Sequence, residues 1–353
     1  MLYQPGSDAL LAFPGLNRVL IVTDAWTPQV NGVVRTLSTI ADEMRAMGKV
    51  VEIIGPDRFV SVPMPSYPEI RLALFPGRKL ARLIDEFQPD ALHIATEGPL
   101  GMSARAYARR RGIAFTTAFH TRFAEYLHAR TRIPLRLSYA WLRRFHGAGA
   151  GVMVATQSLR DELEARGFTN VRAWSRGVDL AAFHPEPRED WGLTRPIFAY
   201  VGRVAVEKNL RAFLELELPG SKLVVGDGPL RRALERDYPA VHFAGARHGA
   251  ALAAAYAGAD VFVFPSRTDT FGLVVLEALA SGLPVAAYPV TGPKDILGES
   301  PVPVGALNED LRQAALDALG IDRAACRPHA ETYSWAACAQ RFLDNLVPTH
   351  SYA

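Results

Sequence analysis

The stretch that decides the fold is Asp260–Pro289, DVFVFPSRTDTFGLVVLEALASGLPVAAYP. Val261, Phe262, Val263 and Phe264 form a short apolar run, the pattern of a strand buried on both faces. Pro265, Ser266, Arg267 and Thr268 interrupt it. Leu273, Leu276, Leu279 and Ala280 then recur at helical spacing, and Gly282 and Pro284 end the helix. A second apolar strand starts at Val285. The order is strand, loop, helix, strand. Asp269 and Glu277 stand eight positions apart across the loop and first helical turns. Free backbone N–H groups at Thr270, Phe271, Gly272 and Leu273, with the helix dipole behind them, suit an electron-rich ligand. Carboxylates suit sugar hydroxyls, because a charged acceptor makes the stronger hydrogen bond. Taken alone, the same two acids are also compatible with a solvated loop and a helix surface.

The same texture runs through the chain. Apolar segments at 18–23, 50–54, 70–74, 91–95, 113–118 and 152–155 alternate with helical periodicity at 33–47, 80–87, 99–111 and 157–166. Residues 176–196 are rich in Gly, Pro and charge and read as a linker. Strands then restart at 197–201, 223–225, 241–244, 261–264, 285–290 and near 302–304, with helices between. This predicts two doubly wound parallel α/β domains with a ligand cleft at the carboxyl ends of the strands. Domain limits of 1–180 and 181–333 are expected, followed by a last segment, 334–353. In that segment Trp335, Cys338, Phe342 and Leu346 share a helical face.

Length and composition agree. At about 150 residues per domain, a chain of 353 residues holds two. Apolar content of 49% and charged content of 21% belong to a globular protein with sizeable cores. No apolar run has the length of a membrane span, and Met1–Leu16 reads as a loose leader rather than a signal peptide. Cys326 and Cys338 offer no disulfide framework and no zinc spacing, so a reducing cytoplasm is expected. The net charge of +3 conceals an asymmetry. Arg105, Arg109, Arg110, Arg111, Arg122, Arg130, Arg132, Arg136, Arg143 and Arg144 crowd one segment, opposed within it only by Glu125. A solvated helical face and an anionic membrane surface both fit this pattern. Nucleic acid is not expected as a partner, since no recognised nucleic-acid motif accompanies the arginines.

Three further motifs carry chemistry. GRVAVEKNL, Gly202–Leu210, follows the 197–201 strand. Gly202 permits a tight turn, and Arg203 and Lys208 place two cations where such a sheet binds its ligand, enough to neutralise a diphosphate. TDAWTPQVNGVVRTL sets Gly32 at a helix start, where backbone can approach a phosphate. His120 ends a buried strand in TTAFHTRFAEYL. By itself it reads first as a packed or capping histidine, and Glu97 in TEGPLG reads first as a helix-start acid. Arg122 and Tyr126 are weaker acceptor-side candidates. No G-x-G-x-x-G fingerprint is present, which argues against dinucleotide redox chemistry.

Together these motifs resemble retaining glycosyltransferases of family 4. PSRTDTFGLVVLEALASGLPVAA matches the family's E-x7-E signature, with Asp269 one methylene shorter than the usual Glu. GRVAVEK matches its phosphate site, roughly sixty residues upstream of the acids. GDGP, Gly226–Pro229, matches a turn that lies near the nucleotide in relatives. The resemblance implies a GT-B fold, a nucleotide-sugar donor with a UDP or GDP base, and retention of configuration at the sugar. It implies that Glu277 holds the ribose. Asp269 and the backbone of Phe271, Gly272 and Leu273 would orient the sugar. Arg203 and Lys208 would stabilise the leaving diphosphate beside Gly202 and Gly32, and His120 would touch the sugar from the first domain. Arg247 would lie near the base. The last helix would cross back to the first domain. No metal or other cofactor is expected, since the two cations can replace a divalent ion. TDAWTPQVNGVVRTL, TEGPLG, FHTRF and SRTDTFG look most like the lipid-glycosylating branch, which includes diacylglycerol glycosyltransferases, sulfoquinovosyl transferases and mannosyltransferases. A lipid acceptor at the inner face of a membrane follows from that likeness. A nucleotide-sugar epimerase, a non-catalytic sugar-nucleotide binding module and a polysaccharide-building transferase stay open on the residues alone.

Overall fold

The structure, a computed structural model, describes residues 15–29, 31–64, 67–185, 189–269 and 271–349. Most of the leader, Val30, Pro187 of the linker and Thr270 of the acidic loop lie outside them, as do the side chains of Tyr126 and Arg130.

The first lobe runs β1 (Arg18–Val22), α1 (Gly32–Ala46), β2 (Val50–Ile54), β3 (Ser61–Met64), β4 (Tyr67–Ala73), α2 (Gly77–Phe87), β5 (Ala91–Ile94), α3 (Pro99–Arg111), β6 (Thr116–Ala118), α4 (Phe123–Thr131), α5 (Leu135–His146), β7 (Gly151–Val154), α6 (Gln157–Ala165) and β8 (Val171–Ala173). The second runs β9 (Ile197–Val201), α7 (Leu210–Leu214), β10 (Ser221–Val225), α8 (Arg231–Asp237), β11 (His242–Gly245), α9 (Gly249–Gly258), β12 (Val261–Phe264), α10 (Leu273–Ala280), β13 (Val285–Ala287), α11 (Thr291–Gly298), β14 (Gly305–Leu307), α12 (Leu311–Ala318) and α13 (Cys326–Ala330). A final helix, α14 (Trp335–Asn345), closes the chain.

Each lobe is built on a parallel six-stranded sheet. The orders are β2-β1-β5-β6-β7-β8 and β11-β10-β9-β12-β13-β14. The chain winds one way from β1 and the other way from β5, and likewise about β9 and β12. Loops at these two reversals diverge, and a crevice opens at the carboxyl ends of the strands. The apolar runs explain the sheet cores. β5, β7, β9 and β12 are buried along their whole length, as strands covered by helices on both faces must be.

Two readings change. The segment at 70–74 is not a member of the parallel sheet; β4 pairs antiparallel with β3 in a separate hairpin. The last strand of the second lobe lies at 305–307, just past the apolar pair Val302 and Val304. Val302 is exposed, whereas Val304 is buried under β13.

The chain passes between the lobes twice at one place. Val178 donates from its backbone to Tyr333 O at 3.1 Å, and a side chain at Gly177 would strike the backbone of Trp335 at 2.6 Å. Beyond this crossing, α14 packs on the first lobe. Ser334 caps it, its hydroxyl accepting from Ala337 N at 3.1 Å. Trp335, Cys338, Ala339 and Phe342 join Val19, Ile21, Leu37 and Ile40 in one apolar cluster. The Phe342 ring centre lies 4.9 Å from Trp174 and 4.8 Å from His93. Phe342 is fully buried, so Phe342→Ala should cost about 3–5 kcal/mol and lower the urea midpoint accordingly. An unchanged midpoint would mean that α14 does not stabilise the first lobe.

Candidate active site

Both loops at the second reversal carry predicted residues. β9 runs into Gly202, Arg203 and, through a short turn, Lys208. β12 runs into Asp269 and the start of α10. Lys208 Nζ donates to Asp269 Oδ1 at 2.6 Å. Two further bonds join the loops: Asn209 Nδ2 to Pro265 O at 3.1 Å and Thr268 Oγ1 to Glu207 O at 3.3 Å. Asp269 Oδ2 is buried and accepts no hydrogen bond among the described residues. The Arg203 guanidinium is 3.9 Å from Glu207, and its carbonyl accepts from the buried Tyr200 hydroxyl at 2.7 Å. Burial, with the charges of Asp269 and Glu207, holds the Tyr200 phenol well above its ordinary range, so it stays a donor.

The GDGP turn supports this loop from behind. A side chain at Gly226 would place its Cβ 1.9 Å from Gly202 O, so two backbones touch where only glycine fits. Val204 N then donates to Asp227 O at 2.8 Å and Leu230 N to Val204 O at 3.1 Å. The turn shapes the cationic loop as a scaffold.

Gly272, in the left-handed region at φ +86°, swings the chain into α10. Phe271 is buried and Leu273 packs toward both lobes. One turn on, Glu277 is buried at the foot of the crevice. Tyr256 Oη donates to its Oε2 at 2.9 Å. Its Oε1 pairs with Arg35, which reaches across from α1 of the first lobe. Burial and the Glu277 charge raise the Tyr256 phenol well above its usual range. The sequence reading missed Arg35; its position one helical turn past Gly32 was the available signal.

Gly32 itself faces Leu273, since a Cβ there would meet Leu273 Cδ1 at 3.7 Å. The start of α1 is less open than the sequence implies. Asn31 Oδ1 accepts from Val33 N and Val34 N, each at 3.0 Å, and so occupies two N–H groups of the first turn. Arg247 lies against the linker, 3.8 Å from Glu189 and with its guanidinium 5.7 Å from the Trp191 ring centre.

From the first lobe, His120 follows β6. Its Nδ1 lies 3.2 Å from Arg176 Nη2. Burial, then the Arg176 charge, then His93 and His146 lower its pKa well below the ordinary value. Glu97 accepts from the buried His146 Nε2 at 3.2 Å. Arg122 bridges the two lobes. It pairs with Glu162 at 2.6 Å and reaches Thr291 Oγ1 of the other lobe at 3.2 Å. A second bridge joins Ser158 N to Asp295 Oδ2 at 2.9 Å. Among the described residues, no group of three or more His, Cys, Asp or Glu is arranged to hold a metal ion.

Residues 30–182 match Glycosyltransferase Family 4, and residues 195–320 match Glycosyl transferases group 1. The chain belongs to glycosyltransferase family 4. It is 33% identical over 307 residues to a GDP-mannose-dependent alpha-mannosyltransferase of Mycobacterium tuberculosis, covering 79% of this chain and 81% of that one. It is 28% identical to an alpha-monoglucosyldiacylglycerol synthase of Streptococcus pneumoniae, covering 77% and 71%. Sucrose-phosphate synthase from Thermosynechococcus elongatus has the same fold, with a TM-score of 0.69 at 18% identity over 92% of this chain and 97% of that one. The family 4 enzyme is thus a hexosyltransferase with two Rossmann-like lobes in the GT-B arrangement.

The buried histidines of this family 4 enzyme give it a pH signature. The pKa of His93 falls to about 3, through burial and then the Arg176 charge, and that of His120 also falls. Both are neutral when folded, whereas the unfolded chain protonates them below about pH 6.5. The unfolded state then binds more protons, so stability falls as pH falls. The slope approaches about 1.4 kcal/mol per pH unit for each histidine between about pH 6 and 5. Urea midpoints over that range should drop, and His93→Gln should remove about half the slope. A flat profile would contradict the buried neutral rings.

Proposed function

We propose that this enzyme moves a hexose from a nucleotide diphosphate to a hydroxyl with retention of configuration. The observation that carries the reading is the Lys208–Asp269 contact at 2.6 Å, which sets a cationic loop and an acidic loop in one crevice. In this reading Arg203 and Lys208 neutralise charge growing on the departing diphosphate, a preorganised electrostatic effect that lowers the barrier. Gly202 and Gly32 let backbone approach the phosphates. Glu277, oriented by Tyr256, takes the ribose hydroxyls. Asp269 and the backbone of Phe271, Gly272 and Leu273 orient the sugar, and His120 meets it from the opposite lobe. The two cations make a divalent metal unnecessary. The leaving phosphate takes the acceptor proton on the same face, so no carboxylate base is required. The GDP-mannose dependence of the mycobacterial relative favours a guanine nucleotide donor. The base would lie on the Arg247 side.

The acceptor we propose is a membrane lipid such as diacylglycerol, named in the streptococcal relative. A surface of the first lobe supports it. On α4, α5 and the turn between them Phe123, Ile133, Leu137 and Trp141 are exposed, and the Phe123 and Trp141 rings lie 6.2 Å apart. Arg144, also exposed, shares the Leu137–Trp141 face of α5, and exposed Arg136 adjoins it in the first turn. Apolar side chains flanked by arginine suit peripheral contact with an anionic leaflet. Among the described residues no helix is long and apolar enough to cross a membrane.

Lys208→Ala should lower transfer by about 10²–10³-fold while circular dichroism stays unchanged. Full activity would overturn the phosphate assignment. Among nucleotide hexoses, the true donor should raise the melting temperature most, by mass action. The membrane reading predicts co-sedimentation with phosphatidylglycerol vesicles. Replacing Arg136 and Arg144 by Gln should weaken it roughly 30-fold, at about 1 kcal/mol per arginine. Equal binding to neutral vesicles would exclude the charged surface.

A further inference from the structure

Arg176 is 5% exposed, and among the described residues its guanidinium pairs with no carboxylate. A buried cation without a counter-charge is costly, so its surroundings must fix it by other means. Nη1 donates to Trp174 O at 2.9 Å and Ser175 O at 3.0 Å. The guanidinium stacks 4.0 Å from the Trp174 ring centre, a cation–π contact. Trp174 is held in turn by its indole bond to Cys338 O at 3.2 Å. The remaining nitrogen, Nη2, lies 3.2 Å from His120 Nδ1.

A guanidinium has five donors and no acceptor. Its bond to His120 Nδ1 therefore requires a lone pair on that nitrogen, and the ring proton must sit on Nε2. We propose that Arg176 is a positioning residue: it holds His120 as the neutral Nε2–H tautomer, so that His120 enters sugar transfer as a hydrogen-bond donor and never as a base. Protonating Nδ1 would set two donors and two positive charges against each other in a buried site. The other titratable rings that act on His120, His93 on β5 and His146 at the end of α5, add no negative charge of their own. The Arg176 charge also depresses the His120 pKa, and burial is the larger cause. Arg176 itself is lowered only to about 10 and stays charged.

The catalytic consequence rests on the reading of His120 as a contact to the donor sugar; the tautomer assignment does not. An Nε2–H group can donate to a sugar hydroxyl and hold the hexose in place, while the electron pair of the breaking glycosidic bond leaves with the diphosphate. With Nδ1 already engaged, the ring has no lone pair left to accept a proton from the acceptor hydroxyl. Arg176 also stands two residues before Val178, where the lobes are joined, so the inter-lobe crossing carries the group that sets the ring.

The test is long-range proton–nitrogen NMR on the full chain with labelled histidine, with the His120 signals assigned by their loss in His120→Gln. The wild-type ring should show the Nε2–H pattern and should not titrate between pH 8 and 5. In Arg176→Met the ring should become a tautomer mixture and titrate nearer the ordinary value of about 6.5. Its kcat/KM should then fall about tenfold per pH unit below that point. Arg176→Lys, which keeps a charged donor, should restore the wild-type pattern. A wild-type Nδ1–H tautomer, titration near pH 6.5 in the wild type, or an unchanged ring in Arg176→Met would overturn the proposal. The wild-type spectrum decides the tautomer even if Arg176→Met does not fold. If His120→Gln keeps full activity while the spectra behave as stated, the sugar contact is wrong and the Arg176 assignment stands.

Discussion

Lys208 and Asp269 hold each other across the reversal of the second sheet, and the crevice takes its form from that contact. The two side chains belong to different loops, sixty-one positions apart. Each is mostly shielded from water, with 25% and 16% of the side chain exposed. Removing either would leave a poorly solvated charge without its partner, which is far more costly than losing a surface ion pair. The pair thus locks the loop geometry in which Arg203, the α10 start and Glu277 converge. Everything behind it is arranged to hold that geometry. Gly226 lets the GDGP turn lie flat against Gly202, and the Tyr200 hydroxyl holds the Arg203 carbonyl. The diphosphate site proposed above would have to be rigid before its ligand arrives, because donors that must reorganise give back much of what they stabilise.

The sheets were legible because burial on both faces leaves an unbroken apolar run. β9 and β12 fall on the residues that the pattern picks out. β8 escaped, being two half-covered residues and an exposed one, with arginine at its centre. So did α11, whose sequence TGPKDILG carries a glycine and a proline in its first turn that read as a turn signal. The hairpin of β3 and β4 shows the limit of period alone, since an apolar stretch does not declare its pairing partner. The candidate residues at 202, 203, 208, 269 and 277 were legible because short motifs place them on loops at strand ends. Arg35 and Arg176 were not. Their partners lie 242 and 56 positions away, and only the packed fold brings them together.

Charge reading had the same blind spot. Within its own segment the arginine cluster faces a single acid, yet Arg111 pairs with Asp85 and Arg122 with Glu162, both from other helices. Arg105 and Arg143 donate to backbone carbonyls instead. Arg144 stays outward beside exposed rings and aliphatic side chains, and Arg109 and Arg110 stay outward at the end of α3.

The double passage of the chain between the lobes, at 177–178 and again at 333–335, has a mechanical meaning. Two adjacent covalent links that touch along their backbones resist sliding and separation, and leave rotation about themselves as the soft motion. The lobes can swing like the covers of a book bound at that spine. Arg35–Glu277, Arg122–Thr291 and Ser158–Asp295 would then be page-edge clasps, undone together when the covers part. A ligand entering the gutter need not break the spine, and the ring of His120, anchored to Arg176 beside the binding, would travel least of all.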